Sequence, residues 1–174
     1  MKNNAAVDTV IDAEVLMVAF AACGPQWNFQ HGKNSHLMVV QCKKCGPDLN
    51  PITEVHLGVH PNYFVPYVQN GFVLSVIKAL VPALKSALQA GKTHIRIVFM
   101  DYWGFHESVA ACKAIAHCVK CDKNLSLSRT LLWNRKSDVA RNGRYADEFW
   151  PDEETQPVQE ALETVRKHWM VHTN

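Results

Sequence analysis

Between Thr93 and Cys112 the spacing of apolar residues changes its period. Ile95, Ile97 and Phe99 alternate with Arg96, Val98 and Met100, which predicts a strand buried on at least one face. After Ser108, Val109, Cys112, Ala116 and Val119 recur at helical intervals. The chain must therefore turn within Asp101–Glu107, where Gly104 supplies the free backbone hinge. Continuous apolar runs at Val15–Ala21 and Leu37–Gln41 predict two earlier strands, and Leu125–Leu132 predicts a later one. Phe72–Ala90 reads as a long helix with Val73, Ile77, Leu80, Leu84 and Leu88 on one face and Gly91 closing it. Pro82, inside that pattern, is expected to kink or split it. Pro157–Met170 reads as an amphipathic helix with Val158, Leu162, Val165 and Trp169 on its apolar stripe. His56–Pro66, with prolines at 61 and 66, reads as irregular, and Gly46-Pro47-Asp48 and Asn50-Pro51 read as turns.

Strands alternating with helices imply an α/β fold: a single three-layer domain with a mainly parallel sheet flanked by helices. Residues 1–14 read as a flexible leader, 15–136 as the α/β domain, and 137–174 as a basic and acidic segment ending in the amphipathic helix. Ligands of such sheets collect beyond the carboxyl ends of the strands. Three loops are expected there: Cys23–Ser35, Cys42–Pro51 and Asp101–Glu107.

Composition narrows the partners only slightly. The formal charge of +2 on 174 residues gives no whole-molecule field toward nucleic acid, so any such contact must use a local patch. No apolar stretch is expected to span a membrane. Asp8, Asp12 and Glu14 interrupt what would be a secretion signal, and six cysteines without one suggest reduced thiols and a cytoplasmic protein.

Three chemistries compete. Cys42-Lys-Lys-Cys45 and Cys118-Val-Lys-Cys121 are two Cys-x-x-Cys pairs, the ingredients of a zinc-stabilised protein-interaction domain. The strand and helix directions place them at opposite edges of the sheet, roughly 20 Å apart, so the expectation is no metal and no cofactor. Arg129, Arg135, Lys136, Arg141 and Arg144, with Trp133 among them, mix basic charge with an aromatic ring as a single-stranded RNA contact does. Asp101, His106 and Glu107 supply two acids and an imidazole in one loop, the minimum for a hydrolase, and His31, His36, His56 and His60 lie in segments that could reach the same edge. No thiol-phosphatase, Gly-x-Ser-x-Gly or Walker sequence accompanies them, so the reading leans away from an enzyme.

The order of these pieces resembles the C-terminal domain of the RapZ family of RNase adapter proteins, in which a strand ends in a phosphate-binding loop of the form Cys-x-Gly-Gly-x-His-Arg-Ser. The equivalent length here is Asp101-Tyr-Trp-Gly104-Phe-His106-Glu107-Ser108, followed by the expected apolar helix. Met38–Cys42 through Asp48-Leu-Asn50-Pro51 is similar to the family's strand and Leu-Pro-Asn-Pro-type loop, and Ser128-Arg129-Thr130-Leu131 to its His-Arg-x-Leu segment. The similarity covers roughly residues 15–136. Asp101, Trp103 and Glu107 stand where the family has Cys, Gly and Arg. Each carboxylate near a bound phosphate would repel it by about 1–4 kcal/mol at about 4 Å.

The resemblance implies a non-catalytic binding module or adapter for a small polar or phosphorylated ligand, for RNA, or for a protein partner. The expected ligand site is Asp101, Tyr102, Trp103, Gly104, His106, Glu107 and Ser108, with Asn50, His56 and Arg129. The expected nucleic-acid contacts are Arg129, Trp133, Arg135, Lys136, Arg141 and Arg144.

Overall fold

The computed structural model describes residues 14–21, 35–43, 58, 60–92, 94–101, 106–123, 125–133, 144–145 and 155–173. Strands β1 (Glu14–Ala21), β2 (Ser35–Gln41), β3 (His94–Asp101), β4 (Ser126–Trp133) and β5 (Arg144–Tyr145) form one sheet in the order β2-β3-β1-β4-β5. The first four run parallel and β5 runs antiparallel to β4. The helices are α1 (Pro61–Gln69), α2 (Phe72–Gln89), α3 (Glu107–Cys121) and α4 (Gln156–Thr173). The fold is α/β with a mainly parallel sheet, as the alternation of periods predicts.

Both helical crossovers step the same way along the sheet: β2 to its neighbour β3, then β3 across β1 to β4. Right-handed crossovers of that kind put their helices on one face. The core agrees, since Met38, Ile95, Ile97 and Phe99 share a single apolar cluster with buried residues of all four helices. Helix α3 is the middle layer. It lies against β1, β3 and β4 on one side and meets α1, α2 and α4 on the other. Every residue from Ser108 to Ala116 is accordingly buried, as expected of a helix with no solvent face. Four alanines in that span let the neighbouring layers approach closely. Helix α4 and strand β5, both from the segment after residue 136, join the same core and the same sheet.

The buried stripe of α4 is the predicted one, Val158, Leu162, Val165 and Trp169, with Ala161 added. Trp169 is fully buried, and its indole Nε1 donates to Asp122 Oδ2 at 2.8 Å, fastening α4 to the end of α3. Such a bond satisfies two polar atoms that would otherwise each cost free energy in the interior.

Three expectations need correction. Helix α2 runs unbroken from Phe72 to Gln89 with Pro82 inside it on the exposed side, so the proline does not split it. By length and composition α2 is also apolar enough to cross a membrane, contrary to the sequence reading. Seven of its residues, including Val73, Ile77, Leu80 and Leu84, are buried against the other helices. Part of the segment read as irregular is helix α1. Pro61 occupies its first turn, where a missing N–H costs nothing, and Tyr63, Phe64, Tyr67 and Val68 form its buried stripe.

Candidate functional site

The carboxyl ends of the parallel strands meet the head of α3. Asp101 closes β3, level with Ala21 of β1, and Cys42 follows β2 with its N–H donating to Met100 O at 2.6 Å. Asp101 is 3% exposed, and its Oδ2 accepts the backbone N–H of Ser108 at 2.7 Å. The residue at the N-cap position, His106, makes no side-chain cap. The strand end therefore supplies the cap that the residue preceding a helix ordinarily provides. Glu107 is the first helical residue. Ser108 Oγ is buried, with no hydrogen-bond partner among the described residues.

Helix α1 forms the next wall. The Tyr63 ring lies 5.2 Å from that of His106, measured between centroids, and stacks on Tyr67 at 5.7 Å. Tyr63 lies close enough to Glu107, and Tyr67 to Cys42, to bear on the titration of each. Gly58, with φ at 72°, presses its backbone against that of His106, and an added Cβ there would overlap the His106 carbonyl. Residues far apart in sequence thus converge on one edge: Cys42, Gly58, Tyr63, Tyr67, Asp101, His106, Glu107 and Ser108.

Electrostatics at this edge are set by burial and by carboxylates. Glu107 titrates above the ordinary carboxylate range because it is desolvated and because Asp101 lies near. Its own helical N–H groups, His106 and Tyr63 oppose that rise. The Cys42 thiol is driven far up, first by burial and then by Asp101, with Cys112 and Glu107 adding to it. A thiol held this way stays protonated at neutral pH and is a poor nucleophile. Cys42 lies beside the first turns of helix α3, and Cys118 and Cys121 lie in its last. That is a span of about 20 Å for a helix of this length.

Of the expected ligand residues, the structure brings Asp101, His106, Glu107 and Ser108 together. Asn50, His56, Tyr102, Trp103 and Gly104 lie outside the described residues, as do Arg135, Lys136 and Arg141 of the basic stretch, together with Cys45 and His31. Arg129 is not brought to this edge. Its backbone is level with Leu16 and Arg96, five residues before Asp101, which is roughly 16 Å along the strand. The pairing slips there, with Ser128 as the extra residue on β4. Trp133, level with Phe20, and Arg144, opposite Leu132, do end at the carboxyl edge. His36 sits at the amino end of β2, while His60 caps α1 through Nδ1, which accepts from Asn62 N at 3.2 Å. The sequence reading missed Cys42, Tyr63 and Tyr67 as members of the site. The aromatic pair four residues apart behind a proline-started helix was the signal available for two of them.

The Asp101 carboxylate serves as the cap, and His106 and Glu107 lie next to it at the helix head. The arrangement offers acceptors and a ring face, and it places a carboxylate where an anion would otherwise sit at the helix head. No protein-family model, curated protein or solved structure matches the chain.

Proposed function

We propose that this protein is a non-catalytic binding module, akin to the C-terminal domain of RapZ, which takes a small polar ligand at the carboxyl edge of its sheet. One observation carries the choice of ligand: the Asp101 carboxylate already accepts the Ser108 N–H at 2.7 Å. A helix head draws anions through such N–H groups, and here a side chain has taken that role. A phosphate at the same point would lose the donor and meet a buried negative charge. Glu107, His106 and Tyr63 instead suit hydroxyl or cationic groups, with the tyrosine and imidazole rings beside a flat face.

A second reading, single-stranded RNA laid across the edge, is favoured by Trp133 at the carboxyl end of β4 and by Arg144, the first residue of antiparallel β5, opposite Leu132. Base stacking with few phosphate contacts would suit the chain's small net charge.

Calorimetric titration with inorganic phosphate, a ribonucleoside and a short single-stranded RNA tests both readings. The proposal expects nucleoside binding that weakens in Glu107→Gln, and no saturable phosphate binding. Phosphate binding tighter than nucleoside binding would overturn it. RNA binding with a steep salt dependence would assign affinity to phosphate contacts and favour the basic segment instead. Recovery of one protein partner after nuclease treatment, with no small-ligand binding, would favour an adapter.

A further inference from the structure

Helix α4 carries a second cluster, distant in kind from the carboxyl edge and independent of the reading given to it. His168 and His172 are four residues apart, so they stack on one helical face. Their Nε2 atoms are 3.3 Å apart and directed at one another, and their rings meet edge to face with centroids 4.8 Å apart. Both side chains are half-buried, which limits the rotamers they can leave for.

We propose that His168 and His172 form a two-imidazole site for one divalent transition metal of the zinc, cobalt or nickel class, with water in its remaining positions. Metal–nitrogen bonds of about 2.0–2.1 Å over a 3.3 Å nitrogen separation subtend an angle of roughly 105–110°, close to tetrahedral. With one ring's Nε2–H donating to the Nε2 of the other, the ion takes the place of that proton, which moves to Nδ1 of its own ring. Both ligands are then neutral imidazoles, as coordination requires. Two nitrogen donors select this class of metal over calcium or magnesium, which need oxygen ligands.

Two lysines of α2 lie near the pair, and Lys78 is close enough to His168 to act on it electrostatically. Lys85, also of α2, donates from Nζ to the His172 carbonyl at 3.2 Å. The two lysines oppose an incoming cation, so the chelate must supply the affinity. No group of three or more ligating side chains forms among the described residues, which makes this an open site rather than a closed structural one.

Titration of the full-length, thiol-reduced chain with Co2+ tests the site against the other histidines and the six cysteines. The expected result is a Co2+ d–d absorption without a thiolate charge-transfer band, weakened about tenfold or more in both His168→Gln and His172→Gln. Ni2+ should raise the thermal midpoint of the unsubstituted chain and of neither variant. Unchanged Co2+ affinity in either variant, or a spectrum carried only by thiolate, overturns the proposal. Imidazole NMR of the unsubstituted chain covers the case of a misfolded variant. Zn2+ must shift the His168 and His172 ring signals together, and a shift in neither rejects the site.

Discussion

The Asp101 carboxylate, on the last residue of β3, is joined to the backbone N–H of Ser108 in the first turn of α3 at 2.7 Å, both groups buried. Ser108 stands seven positions after Asp101, so this bond ties the end of β3 directly to the head of α3. The same contact sets the helix direction, satisfies an otherwise unpaired N–H, and fixes the sign of charge at the site.

Removing that acceptor should therefore cost stability first and ligand affinity second. Asp101→Ala is expected to lower unfolding free energy by about 1–3 kcal/mol, since it strands a buried N–H. Asp101→Asn keeps an oxygen in place and should cost less. Urea denaturation followed by circular dichroism measures both. Equal losses in the two variants would mean that the carboxylate charge, and not an acceptor oxygen as such, is what matters at this position.

The approach of Gly58 to His106 gives a second test of how the edge is assembled. Gly58 and Gly71 both have positive φ, 72° and 89°, so alanine is strained at either. Only at Gly58 would the new methyl group also meet backbone, whereas nothing lies within 4 Å at Gly71. Gly58→Ala should consequently destabilise by about 1–3 kcal/mol more than Gly71→Ala, and should alter the His106 ring signal in NMR spectra. Matching losses would argue that the loop gives way freely.

Thiol accessibility follows from burial. Cys42, Cys112 and Cys118 are buried with their thiols pushed well above the ordinary range by desolvation, while Cys121 is exposed in the last turn of α3 beside His117. Alkylation of the native chain at neutral pH, read by peptide mass spectrometry, should modify Cys121 before those three. The three should react only as the protein unfolds. Early labelling of Cys42 would contradict the packing of the carboxyl edge described above.

Why some of this was legible in the chain and some was not has a physical answer. The β3–loop–α3 passage announces itself because its hydrophobic period switches from 2 to 3.6 within a few residues, a purely local signal. Helix α1 was obscured because Pro61 and Pro66 look like breakers, although one sits in the first turn and the helix is held by the burial of Tyr63, Phe64, Tyr67 and Val68. The convergence of Cys42, Tyr67 and Asp101 depends on β2 pairing with β3 and on where α1 docks, neither of which leaves a mark in sequence spacing. Arg129 looked like a site residue by resemblance, but strand register, fixed by long-range pairing with β1, puts it too far back. The role of Asp101 was hidden for the same reason: a cap drawn from a strand end has no fixed offset from the helix it serves.

The raised titration of Glu107 makes a prediction about pH whose sign can be worked out. Burial, then Asp101, lift its folded-state value above the ordinary 4.5, and the unfolded chain keeps that ordinary value. Below about 4.5 both states carry the proton and Glu107 contributes no pH dependence. As pH rises through and above that point, the unfolded chain releases its proton first, so the native state holds more protons and stability falls. The decline ends once pH exceeds the folded-state value, leaving a constant penalty at neutral pH. Glu107→Gln retains the shape and never ionises, so it should match the unsubstituted chain near pH 4 and become the more stable of the two as pH rises toward 7. Denaturation midpoints of the two proteins across that range isolate the effect, because every other titrating group is common to both. A difference that stays flat, or that favours the glutamate at neutral pH, would place the Glu107 carboxylate in water rather than against Tyr63 and Asp101.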